Sequence, residues 1–127
     1  MFASGAKARA WLQKHSITDE ALEHMFHLDN GQVDLIANPG ATKREQTINT
    51  YLLVGVKHLL QSDDPKFSEP EAVALCKRLG CFDRPNHATT RNKFGNRLTG
   101  SKATGYTLTV PGLDQAAMLI KGGATGA

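Results

Sequence analysis

A chain of 127 residues with 40% apolar and 21% charged side chains is long enough for one domain and apolar enough to fill its core. No apolar run approaches the ~20 residues of a membrane helix, no signal peptide is evident, and two cysteines do not make a disulfide scaffold. The expectation is a cytoplasmic protein; the net charge of +3 decides nothing by itself.

In chain order, residues 1–5 read as frayed. Ala6 to His15 reads as a short helix contributing Trp11 and Leu12. Thr18 is placed to cap a second helix, with Asp19 and Glu20 in its first turn and Ile17 and Leu22 as a hydrophobic staple. Leu22, Met25 and Phe26 form its inward stripe. Asn30-Gly31 is a hairpin turn signal, and Val33 and Leu35 alternate with polar neighbours. A strand near 32–37 follows, paired with Phe26–Leu28 or joined to a later hairpin. Asn38-Pro39-Gly40 closes this N-terminal extension, residues 1–41, as a turn.

Thr42 and Glu45 make a capping box at the start of a long helix whose stripe is Ile48, Leu52, Val56, Leu59 and Leu60. Gly55 inside it weakens the helix by ~1 kcal/mol relative to Ala, which points to close packing by a neighbouring element. Ser68 and Glu71 make a second capping box, with Pro70 in the first turn and Phe67 against Ala72 as a staple. Ala72, Leu75, Cys76 and Leu79 give that helix its apolar face, and Gly80 stops it. Asn86 is read as the cap of a further helix running to about Phe94, with Ala88 and Phe94 inward and Gly95 as its stop. Arg97–Thr99 and Gly105–Val110 read as a hairpin, because Tyr106, Leu108 and Val110 alternate with threonines before Pro111-Gly112 ends the strand. Leu113, Ala116, Ala117 and Ile120 then make a small-residue helical face, and residues 122–127 read as a flexible tail.

Over residues 42–121 this order of helix, helix, short helix and two-stranded hairpin resembles a winged helix-turn-helix domain. The expected fold class is therefore α+β: a winged helix-turn-helix with an N-terminal helical extension and a small antiparallel sheet. The resemblance implies that the short helix and the hairpin meet a nucleic-acid groove.

The charge distribution agrees with that implication. No carboxylate lies between Asp83 and Asp114, whereas Arg84, Arg91, Lys93, Arg97 and Lys102 fall there. The other residues carry ten Lys or Arg (15 less these five) against all 12 Asp and Glu, a balance of −2. The expected function is non-catalytic duplex DNA binding, with Thr89, Thr90, Arg91 and Lys93 facing the groove and Arg84, Arg97 and Lys102 adding positive charge near phosphates. Without aromatic residues interleaved among these cations, stacking on single strands is disfavoured.

Other patterns have ordinary explanations. Cys76, Cys81 and His87 could supply three zinc ligands, but Cys76 lies on an apolar helix face, where a buried free thiol is the commoner outcome. His24 and His27 complete no metal motif, the Gly100–Gly105 segment lacks the spacing of a phosphate loop, and Asp63-Asp64 precedes proline as a solvated loop pair. Nothing points to catalysis, a cofactor or a metal. The competing expectation is a protein-interaction module, or a homodimer, using an apolar surface on the N-terminal helices through Trp11 and Phe26.

Overall fold

The computed structural model describes residues 5–124. The chain folds as α1 (Ala6–Lys14), α2 (Asp19–Glu23), β1 (Phe26–Asp29), β2 (Gln32–Leu35), α3 (Lys43–Ser62), β3 (Lys66–Phe67), α4 (Glu69–Arg78), α5 (His87–Arg91), β4 (Leu98–Ser101), β5 (Gly105–Leu108) and α6 (Val110–Ala124). Single 3-10 turns at Arg84–Asn86 and Gly95–Arg97 precede α5 and β4. It is an α+β fold with two small antiparallel sheets, one β1-β2 and the other in the order β3-β5-β4.

α3 is the spine. Its capping box is complete: the Thr42 hydroxyl accepts from the Glu45 amide, and the Glu45 carboxylate accepts from the Thr42 amide. Every residue from Thr50 to Val56 is buried, so the helix is enclosed on all sides rather than along one stripe. Gly55 lets β5 approach: a Cβ there would stand 2.5 Å from Cγ of Leu108. The N-terminal hairpin turns through Asn30 and Gly31, both at positive φ, as its sequence predicts, and among the described residues β1 and β2 pair with each other and not with the second sheet.

Several expectations are corrected. Trp11 and Phe26 do not present an outer apolar surface; both are buried in the same core as α3, and the Trp11 indole donates to the Leu113 carbonyl. The second capping box is half formed. Ser68 accepts from the Glu71 amide, but the Glu71 carboxylate turns to Lys57 and His58 instead. Val110 does not extend β5; it is exposed and opens α6, where Thr109 accepts from the Gly112 amide and Pro111 occupies the first turn. Arg97 lies in the 3-10 turn before β4. The proposed tail is helical through Ala124, and residues 125–127, like residues 1–4 of the frayed start, lie outside the described residues.

From Thr42 onward the order is helix, strand, helix, helix, strand, strand, helix, with β5 between β3 and β4. That arrangement is compatible with a winged helix. Among the described residues no helix is long and apolar enough to cross a membrane.

Candidate nucleic-acid interface

α5 is a short helix on a polar anchor. Its predecessor Asn86 has φ −111° and ψ 0°, not the extended backbone of an N-cap, and its amide donates to Asp83 instead of capping. The helix begins at His87 and ends at Arg91, after which the Lys93 and Phe94 amides bond three residues back and tighten the chain. The sequence-predicted helix to Phe94 is thus cut short, and Phe94 enters an aromatic cluster with Tyr51 and Tyr106, its ring 4.8 Å from that of Tyr51.

Under α5 the Tyr51 hydroxyl donates to Glu69 Oε1 at 2.6 Å and lies 2.7 Å from Nε2 of His87. The other carboxylate oxygen of Glu69 accepts from the Arg91 guanidinium. A hydroxyl has one proton, and Tyr51 gives it to Glu69, so its oxygen accepts from the His87 Nε2–H. The imidazole is then neutral with a bare Nδ1, which has no hydrogen-bond partner among the described residues. Burial lowers the His87 pKa, with Arg91 and Lys102 adding to the effect against the opposing pull of Glu69. Burial, followed by the hydrogen bond and charge of Glu69, pushes the Tyr51 hydroxyl far above its usual range. This network fixes α5 to α3 and α4.

The anchor changes which residues are free. Arg84, Thr89, Lys93 and Lys102 are exposed, as expected. Thr90 is not: it is buried, while Ala88, expected inside, is exposed, because the face carrying His87 and Thr90 is the one seated on α3. Arg91 is half-buried against Glu69. Arg97 is half-buried as well, its guanidinium donating to the carbonyls of Phe94 at 2.9 Å and Lys93 at 2.7 Å. Beyond Gly95 the β4-β5 hairpin projects Lys102 at its tip and forms one wall of a groove that also touches Arg91, Asn92 and Ser101.

Sequence reasoning missed two contributors. Lys43 and Arg44, in the first turn of α3, face Asn86 and His87 across a cleft of about 180 Å³, so two further exposed cations flank the start of α5. Glu69, an acidic residue in the first turn of α4, carries no sequence signal of a special role, yet it is only 5% exposed and holds the anchor together. The zinc alternative finds no support in the geometry: His87 Nε2 serves Tyr51, both cysteines are buried, and among the described residues no group of three or more His, Cys, Asp or Glu is placed to hold a metal. The Cys76 thiol is pushed well above its usual range by its hydrogen bond with Cys81 and by burial, which opposes reactivity at Cys76.

Comparison with protein-family models, curated proteins and solved structures finds no match to this chain.

Proposed function

We propose that this is a non-catalytic winged-helix protein of the cytoplasm that binds duplex DNA, with α5 in the major groove and the β4-β5 hairpin against the flanking backbone. The observation that carries the reading is the outward side of Arg84–Lys93. Arg84, Asn86, Ala88, Thr89, Asn92 and Lys93 are all exposed there, the one carboxylate bonded to them among the described residues is that of Asp83 at the edge beside Asn86, and the hairpin beside them presents Lys102. Small and polar side chains with peripheral cations suit a surface that lies among base edges while phosphates flank it.

Arg91 is unsuitable for testing this reading, because replacing it breaks an internal ion pair. The informative variant is Lys93→Glu with Lys102→Glu, both exposed. Anisotropy titration of a labelled duplex is expected to show micromolar or tighter binding at about 50 mM salt that weakens steeply toward about 200 mM. The double variant is expected to bind more weakly, with a shallower salt slope. Absence of binding at low salt, or an unaltered titration in the variant, overturns the proposal.

The protein-interaction alternative now rests on α6, where Val110 is 63% and Met118 is 67% exposed, and no longer on the N-terminal helices. A concentration-dependent dimer in light scattering that is lost on Met118→Gln favours it.

A further inference from the structure

The exposed chemistry of α5 also bears on which base pairs it reads. Ala88, Thr89 and Asn92 are exposed and spaced i, i+1 and i+4, which gathers them into one outward patch. Neither the Thr89 hydroxyl nor the Asn92 side-chain amide has an intramolecular partner among the described residues, so both are available to a ligand. In the major groove an asparagine amide matches N6–H and N7 of adenine, and the methyl groups of alanine and threonine fit the 5-methyl of thymine. Guanine is matched best by a forked guanidinium, and of the three between Asp83 and Asp114 the fold holds back the two nearest Asn92, leaving Arg84 exposed at the other end of the patch. Arg91 is held by Glu69, and Arg97 donates to two backbone carbonyls.

We infer that α5 reads A·T base pairs through Asn92 with Ala88 and Thr89, and that Glu69 sets this preference by holding Arg91 away from base edges. The inference rests on the duplex-binding reading. Glu69 is a positioning residue that acts only through Arg91, whereas Asn92 touches the base. Arg84 and Lys93 bracket the patch and supply charge for phosphates without distinguishing one pair from another.

The test uses the full chain and two labelled duplexes with identical flanks, one with an A·T core and one with a G·C core, competed at a single salt concentration. The A·T duplex is expected to bind about tenfold tighter or more. Replacing thymine by uracil removes the 5-methyl group, and replacing adenine by 7-deazaadenine removes the major-groove N7; each is expected to erase part of the advantage. Asn92→Ala, at an exposed position, is expected to collapse the preference while leaving the circular dichroism spectrum unchanged. Glu69→Gln is expected to move the preference toward G·C; if that variant does not fold, Asn92→Ala and the base analogues still decide the matter. Equal affinity for the two cores, a preference for G·C, or an undiminished preference in Asn92→Ala overturns the inference and leaves duplex binding standing. A folded Glu69→Gln protein with the native preference overturns the positioning role, and failure to bind either duplex removes both readings.

Discussion

The hydroxyl of Tyr51 lies 2.7 Å from Nε2 of His87 and so ties the middle of α3 to the first residue of α5. The same hydroxyl serves Glu69, which makes one oxygen atom the meeting point of three helices. Tyr51→Phe keeps the ring, and with it the packing against Phe67, Phe94 and Tyr106. What it removes is the partner of two buried polar groups, at a cost of about 1–3 kcal/mol. Urea denaturation is expected to show a lower midpoint with an unchanged slope. A loss below about 0.5 kcal/mol means that Glu69 and His87 satisfy each other without the hydroxyl.

The neutral state of His87 gives stability a direction in pH. Its folded pKa is lowered from the ordinary 6.5, first by burial, so the unfolded chain takes up the proton more readily. The sign follows: the contribution of His87 is present above about pH 6.5 and is lost as the pH falls through the interval between its unfolded and folded values. The slope from this one group is at most about 1.4 kcal/mol per pH unit. Denaturation midpoints measured from pH 7.5 down to pH 5 are expected to decline, and His87→Gln is expected to flatten that decline. An equal decline in the variant assigns the effect to another group.

Arg91 and Lys93 stand two positions apart in sequence, and the structure separates their roles. Arg91→Met leaves a carboxylate that is 5% exposed without its cation, and the loss of stability is expected to be about 2–3 kcal/mol. Lys93→Gln is expected to leave the denaturation curve within about 0.5 kcal/mol of the native one. It is expected instead to lower the salt slope of duplex binding by about 0.9, the value for one lost phosphate contact. Lys43→Gln with Arg44→Gln is expected to lower that slope by about twice as much, because both residues flank the start of α5. Calorimetry and anisotropy on the same four proteins separate the two kinds of effect, and an unchanged salt slope in the Lys43 and Arg44 variant removes those residues from the interface.

How far the sequence could be read depended on the range of the interaction concerned. The Thr42 capping box, the Thr18 cap, the Asn30-Gly31 turn and the Ala116, Ala117 and Ile120 face are local signals, and each appears where its spacing places it. α5 was less legible because its orientation is set from outside. His87 faces inward because Tyr51, 36 residues before it, supplies its polar partner, and Arg91 is drawn in by Glu69, 22 residues before it, which leaves Thr90 on the buried face. No periodicity within Asn86–Phe94 carries that information, and its pattern alone points Ala88 inward and Thr90 outward. Val110 departs from its pattern for a different reason. Period-2 alternation through Tyr106, Leu108 and Val110 competed with the Thr109 cap and the Pro111 first turn, and the cap prevailed. The charge pattern was legible as a segment but not as a surface, since pairing with Glu69 removes Arg91 from the free cations.

Gly55 was legible as a point of close approach, and the structure identifies the partner. On propensity alone Gly55→Ala stabilises a helix interior by about 1 kcal/mol. At this position the new methyl would stand 2.5 Å from Cγ and 2.7 Å from Cδ1 of Leu108, whose side chain is itself 5% exposed. A displaced Leu108 has little room, because one of its methyl groups also lies against Gly112 at the start of α6. Overpacking of this kind costs about 1–3 kcal/mol, so the net effect of Gly55→Ala is expected to be destabilising, by up to about 2 kcal/mol. Leu108→Ala alone leaves a cavity beside α3 and is expected to cost about 2–5 kcal/mol. In that background the methyl of Gly55→Ala enters vacant space, and its sign is expected to reverse to a gain of about 1 kcal/mol. A double-mutant cycle by urea denaturation therefore yields a coupling of about 1–3 kcal/mol, well outside the additivity expected of independent sites. Additive costs in that cycle mean that α3 and β5 separate without strain, and the glycine then has no packing role.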